Sequence, residues 1–281
     1  MTASTNSIIL KFDYSCDQSV GEITKVVGLI RAKYLIPIID CLNLEANPRS
    51  SKTGSVTDAI QESIINDSET FPFKTKGILI ASSRYERLER GRFRITPDNL
   101  GIEGILDGGH NTLAIGLYIL QKAMEHCGLS FPKGQKTWSQ FKYIWQTNRE
   151  LIDDYQEAIR KETLKGELNF YVPVELLLPR DPTDLACVES FKNDLLEICD
   201  ARNNNVQLPV SDKANQRGYY DVLKSLMDEK YPELSNKIAW KTNDGGVIKA
   251  QEIVALSWIP LGLISTVKDN NGRIIEPSSP K

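Results

Sequence analysis

Paired cysteines, clustered histidines, long apolar runs and an excess of basic charge are all missing from this sequence. The five cysteines (Cys16, Cys41, Cys127, Cys187 and Cys199) form no C-x-x-C pair and no short metal-ligand spacing. An odd count without a framework predicts reduced, mostly buried thiols in a cytosolic setting. The only histidines, His110 and His126, lie far apart on one predicted helix and cannot share a zinc ion with a thiol pair, so no metal site is assigned. No Gly-x-Ser-x-Gly elbow is present, which leaves a serine-hydrolase triad without support. Gly134-Gln135-Lys136-Thr137 has the ending of a phosphate loop but neither the upstream glycine nor a preceding buried strand. No apolar run approaches the roughly 20 residues that a membrane-spanning helix needs. The opening residues, Met1 to Ser7, have no basic stretch followed by an apolar core, so no secretory signal is expected. The expected location is the cytoplasm, away from membranes. Net charge is −3, from 34 basic and 37 acidic side chains. Contact with a nucleic acid must therefore come from a local patch.

What is present is ordinary for a folded α/β protein: 281 residues, 41% hydrophobic and 25% charged. That length buries a core without disulfides or a structural metal. Residues 34–42 read as a buried strand, with Pro37 near an edge or bulge. A polar loop follows, and Ser55 with Asp58 marks a helix start, the helix running to about Asn66. Gly77–Ala81 is a second strand, a hairpin turning at Gly91 comes next, and a short strand ends at Leu106. Helices are expected from Thr112 to about His126, from Trp138 to about Lys165, from Thr183 to Asp200 and from Ser211 to Lys230. A strand is expected over 170–178, and a short helix or strand over 247–256. The organisation that follows is an α/β core over 1–127, a mainly helical part over 128–268 packed on the same core, and a flexible tail over 269–281.

The chemistry concentrates at the join Asp107-Gly108-Gly109-His110-Asn111-Thr112, between a strand and a helix. A helix N-terminus leaves about four backbone N–H groups unpaired and carries partial positive charge, which favours anions. Two glycines allow a sharp turn and the close approach of a ligand. Asp107 can orient His110, receive a proton or hold a metal, and His110 can donate to a phosphate or act as a general base. An ordinary tight turn with Asp107 as the cap is the plain alternative. The stretch holding Arg84, Arg87, Arg90, Arg92 and Arg94, with Glu86 and Glu89, offers guanidinium groups to a nucleic-acid backbone. More often such a run is the solvated face of a hairpin laced with ion pairs. Asn203, Asn205 and Gln207 offer amides that donate and accept at once, which suits base edges or phosphate, or else they close a helix C-terminus.

The segment Ile105 to Ala114 resembles the D-G-x-H-R segment of the ParB–sulfiredoxin-like superfamily and the N-G-x-Q-T segment of the AIPR (abortive infection phage resistance) family. Asn47-Pro48-Arg49 and Phe71 to Ile78 resemble the AIPR segments N-x-R and F-x-x-N-N-G-I, and Ala201 to Gln207 resembles A-x-N-x-Q, in order and spacing over residues 35–260. The resemblance implies a ParB-like mixed small sheet with surrounding helices and a helical C-terminal half, in a protein of bacterial defence against phage. It also implies that Arg49, Lys74, Lys76, Asn203, Asn205 and Gln207 join Gly108, Gly109, Asn111 and Thr112 in holding a phosphate or nucleotide. Asn111 stands where the superfamily has arginine, and Lys74 and Lys76 return positive charge from another direction.

Two functions compete. One is a nuclease or nucleotide hydrolase with Asp107 and His110 at the reacting phosphate, for which a divalent metal ion or a nucleoside triphosphate is the cofactor to test. The other is a non-enzymatic regulatory or protein-interaction module that senses nucleic acid, a nucleotide, or a phage or host protein through the same pocket. Either is compatible with a homo-oligomer. A third reading, a decayed pocket in an interaction protein, predicts an exposed uncharged patch around Trp138–Trp145.

Overall fold

The computed structural model describes residues 7–47, 51–132, 134, 136–161, 163–164, 166–203, 214–215, 218–241 and 244–258. The chain forms two compact units, residues 1–207 and 208–281. The first is mixed α/β. A five-stranded sheet runs in the order β2 (Tyr14–Val20), β3 (Ile23–Arg31), β8 (Tyr171–Pro179), β4 (Ile78–Ala81), β7 (Gly104–Asp107). Within it β4 and β8 are parallel and the other neighbours antiparallel. A three-stranded sheet pairs β1 (Ile8–Lys11) with β6 (Arg92–Ile95) and β6 with β5 (Tyr85–Leu88). Because β8 lies in the middle of the larger sheet, the segment beyond residue 127 completes the first unit, and the division falls later in the chain than expected.

The larger sheet is covered on both faces, which is why β4 reads as an unbroken apolar run. One face carries Ile78, Ile80, Val172, Val174 and Leu176, packed in the main core with α4 (Gly109–His126), α5 (Trp138–Thr147) and α6 (Arg149–Arg160). On the other, Leu79, Leu106 and Leu177 meet Phe191, Leu195 and Cys199 of α7 (Leu185–Asn203). Those three α7 residues recur every fourth position, the spacing that puts one helical stripe on a sheet. Cys187 and Cys199 are buried, whereas Cys16 and Cys127 are exposed, so burial of the thiols holds only for part of the set.

Residues 34–42 are helical, not extended: a 3₁₀ turn over Ala32–Leu35 runs into α1 (Ile36–Cys41). Leu35, Ile38, Ile39 and Leu42 are buried at helical spacing, and Pro37 occupies the first turn, where its missing N–H costs nothing. A short apolar run does not distinguish the two states. The end of α1 is closed by Lys142, whose buried ammonium donates to the carbonyl oxygens of Ile39, Asp40 (3.2 Å) and Leu42 (3.2 Å). Replacing Lys142 with methionine keeps the stem and leaves these acceptors buried and unpaired. We expect a loss of about 2 kcal/mol, read from the midpoint of urea unfolding.

The predicted helix over 138–165 is interrupted at Asn148, whose side-chain amide donates to the Ile144 carbonyl (2.8 Å). Thr137 caps α5 in a reciprocal pair with Gln140, a structural role for the Gly134–Thr137 segment. Trp138 and Trp145 are buried, so neither contributes to the exposed patch that would favour the decayed-pocket reading. The start of α2 (Ser55–Asn66) is capped by the Thr57 hydroxyl on Gly54 instead of by Ser55. The short α3 covers Phe71–Lys74. The second unit holds α8 (Asp221–Lys230), α9 (Pro232–Ser235), the two-residue parallel pair β9 (Ile238–Ala239) and β10 (Ile248–Lys249), and α10 (Ala250–Trp258). The helix expected from Ser211 thus begins its long run at Asp221, and the proposed tail over 269–281 lies outside the described residues.

Candidate functional site

The strand–helix corner is built by close backbone packing. Gly108 adopts the left-handed conformation (φ 84°) and is the N-cap of the 18-residue α4, with no side-chain cap bond. A Cβ on Gly108 would strike the Gly77 carbonyl and lie 2.8 Å from Ile78 Cα. One on Gly109 would strike Ser51 Oγ and lie 3.2 Å from Leu44 Cδ1. Asn111 Nδ2 donates to the Gly77 carbonyl (2.8 Å), tying the first turn of α4 to the start of β4. Asp107 Oδ1 accepts from the Gly108 N–H (2.7 Å).

The corner opens into a cleft of about 380 Å³. Gly108, Gly109, His110 and Asn111 line it together with Asp107 and Lys76. Asn47, Ser51 and Thr75 complete the polar wall, and Val56 and Ile60 of α2 form an apolar one. It is therefore a concave, mixed pocket whose described lining holds one cation, one carboxylate and one imidazole. Thr112, expected among the phosphate ligands, turns inward: it is fully buried, and its hydroxyl donates to the Gly108 carbonyl (3.1 Å). Helical geometry places position 112 one turn in, facing the core. Lys74 is paired with Asp67 at 2.9 Å and does not line the cleft.

Arg202, near the C-terminal end of α7, has no place among the expected site residues. Its guanidinium chelates Glu175 (2.7 and 3.2 Å), and its Nε lies 3.9 Å from Asp107 Oδ2. The hydrogen bond from Arg202 holds the Glu175 carboxyl down to about 2, aided by Lys25 at 2.7 Å and opposed by burial. Only the sheet order brings α7, β8 and β7 together, so spacing along the chain carries no hint of this cluster. Arg49, Asn205 and Gln207 lie outside the described residues, and Asn203 is the last residue of α7.

The arginine stretch belongs to the hairpin of β5 and β6, whose turn residues Arg90 and Gly91 both have positive φ (60° and 67°). This is the backbone of a tight hairpin turn whose twist matches its strands. Arg84 pairs with Asp98 (2.8 Å), Arg87 with Asp17 (2.8 Å) and Arg94 with Glu86, while Arg92 donates to the Glu89 carbonyl (3.0 Å). None of the five lines the cleft. Among the described residues, no group of three His, Cys, Asp or Glu side chains could hold a metal ion. No helix of the described chain is long and apolar enough to cross a membrane.

Fold and corner together define a mixed α/β protein with a polar cleft where a strand enters a long helix. No family model, no curated protein and no solved structure matches the chain.

Proposed function

We propose that this chain is a phosphate-recognising protein of the abortive-infection type, with a ParB-like core, which binds nucleic acid or a nucleotide at the Asp107–Asn111 corner. The observation that carries the reading is the cleft itself. Gly108 and Gly109 leave the N-terminus of α4 without overlying side chains of their own, and Lys76, His110 and Thr75 stand in the same lining. Helix N-terminal amides, an ammonium and an imidazole are all donors, which suits an anion. The aspartate is the exception in this set, and the nearby Arg202 offsets its charge.

Binding is better supported than turnover. The Asn111 amide is committed to the Gly77 carbonyl, and Asp107 accepts from its neighbouring backbone N–H. Neither arrangement presents an obvious general base to an incoming group. The test is a thermal-shift screen of the wild type and His110→Ala against nucleotides, divalent ions and short DNA and RNA. A ligand at 100 times its dissociation constant adds about 2.7 kcal/mol to stability. The expected result is a shift with a phosphate-bearing ligand in the wild type that shrinks in His110→Ala, whose own melting temperature stays close to the wild-type value. No shift with any of these ligands would remove the reading. Release of product from a shifting ligand would favour the enzyme.

A further inference from the structure

A larger cavity, of about 670 Å³, lies in the same unit and is separate in its lining from the corner cleft. Its volume falls in the range of small-molecule sites, roughly 300–1,000 Å³. Three elements line it, and it is open to solvent on one side: the 3₁₀ turn with the start of α1 (Lys33, Tyr34, Pro37), the last turn of α6 (Gln156, Ile159, Arg160), and the segment leading to β8, which includes Asn169.

Among the described residues, the lining has two cations, Lys33 and Arg160, and no acid. Among the described residues, neither Lys33 nor Arg160 forms an ion pair. Lys33 lies over the Tyr34 ring at 5.5 Å, and the nearby Glu157 takes its ion pair from Lys161 (2.6 Å). The side-chain amides of Gln156 and Asn169 are likewise without hydrogen bonds to described residues. Apolar surface comes from Pro37, Ile159 and Leu164. The backbone beneath is held in a costly state. Leu168 is buried with a left-handed φ of 55°, a conformation that a branched side chain rarely takes. Its carbonyl accepts from the Lys33 N–H (3.1 Å), and that of Phe170 from the Ala32 N–H (3.0 Å). Strain of this kind persists where surrounding contacts over-determine the backbone, and it concentrates at binding sites.

We infer that this cavity is a second ligand site that takes a nucleoside monophosphate: a planar body with a hydrogen-bonding edge, joined to a compact anion. Lys33 and Arg160 hold the phosphate, for which guanidinium is well shaped. Gln156 and Asn169 meet the base edge, each able to donate and accept. Apolar walls receive the ring faces. An amphipathic carboxylate would use the cations and walls but leave both amides unused. The site does not depend on the corner cleft.

Hydrogen exchange of the full chain, with and without each of the four common nucleoside monophosphates at millimolar concentration, tests the assignment by location. Adenosine and decanoate serve as controls. At least one monophosphate should slow exchange over residues 32–37 and 156–169, and adenosine should do so far less. Arg160→Glu should weaken that protection about tenfold in ligand concentration, whereas Arg160→Lys, which keeps the charge but not the two-pronged guanidinium, should weaken it less. Protection confined to residues 107–112 would overturn this site while supporting the corner. Protection unchanged by Arg160→Glu, no protection over 32–37 and 156–169 with any monophosphate, or protection there by decanoate alone would each overturn it as well.

Discussion

Gly108→Ala should lower the stability of the first unit by about 3–5 kcal/mol. Two costs add. Alanine in the left-handed region loses about 1–2 kcal/mol, and here φ is 84°. The new methyl group also meets backbone, the Gly77 carbonyl and Ile78 Cα, which no rotamer change can move aside. Relief requires β4 and the start of α4 to separate, which breaks the Asn111–Gly77 hydrogen bond and opens the cleft. Gly128→Ala is the control. It too has positive φ (73°) but nothing within 4 Å of the added carbon, so only the conformational cost of about 1–2 kcal/mol should appear. The comparison is made from urea unfolding midpoints at matched slopes. Equal losses at the two positions would show that the corner is not closely packed. Against a total stability of 5–15 kcal/mol typical of folded domains, the larger loss takes a substantial share.

Acid should weaken the protein through Glu175. Its folded-state value is about 2, against an ordinary 4.5, because Arg202 donates two hydrogen bonds to it and Lys25 lies beside it. Between these values the unfolded chain holds a proton that the folded chain refuses, so folding stability falls as pH drops from about 4.5 to about 2 and levels off below. Above pH 4.5 the contribution is fully present. With 23% of the side chain exposed, screening reduces the gain, and we expect about 2 kcal/mol. In Glu175→Gln this part of the acid limb should vanish from stability measured between pH 5 and pH 2 (roughly the window of the shift). An unchanged acid limb would mean that the ion pair with Arg202 is not formed in solution. Because Arg202 also lies 3.9 Å from Asp107, the Gln variant frees its guanidinium to move towards the corner.

Several elements were legible from local pattern. The short strand ending at Leu106, the two-glycine corner and the apolar periodicity of the helix after it agree with one another; the structure has the strand over Gly104–Asp107 and begins the helix at Gly109, three residues before the expected Thr112. The hairpin at Gly91 was equally plain, because positive φ leaves few residue types to choose from. Other elements left no such trace. β2 is exposed along its whole length, so Tyr14–Val20 shows no alternation to read. α1 is buried on so many sides that its apolar run fits strand and helix alike. The break at Asn148 rests on one side-chain bond to the preceding turn, with no proline or glycine to announce it.

Local sequence by itself determined where the chain must turn and which helix begins at a pair of glycines, because glycine freedom and helical period are properties of neighbouring residues. Tertiary structure alone decided which distant charges meet: Arg202 with Glu175 and Asp107, Lys142 with the end of α1, and the two cations of the larger cavity. Those juxtapositions follow from strand order and from the burial of two sheet faces, and contacts between residues so far apart in the chain have no periodicity to betray them.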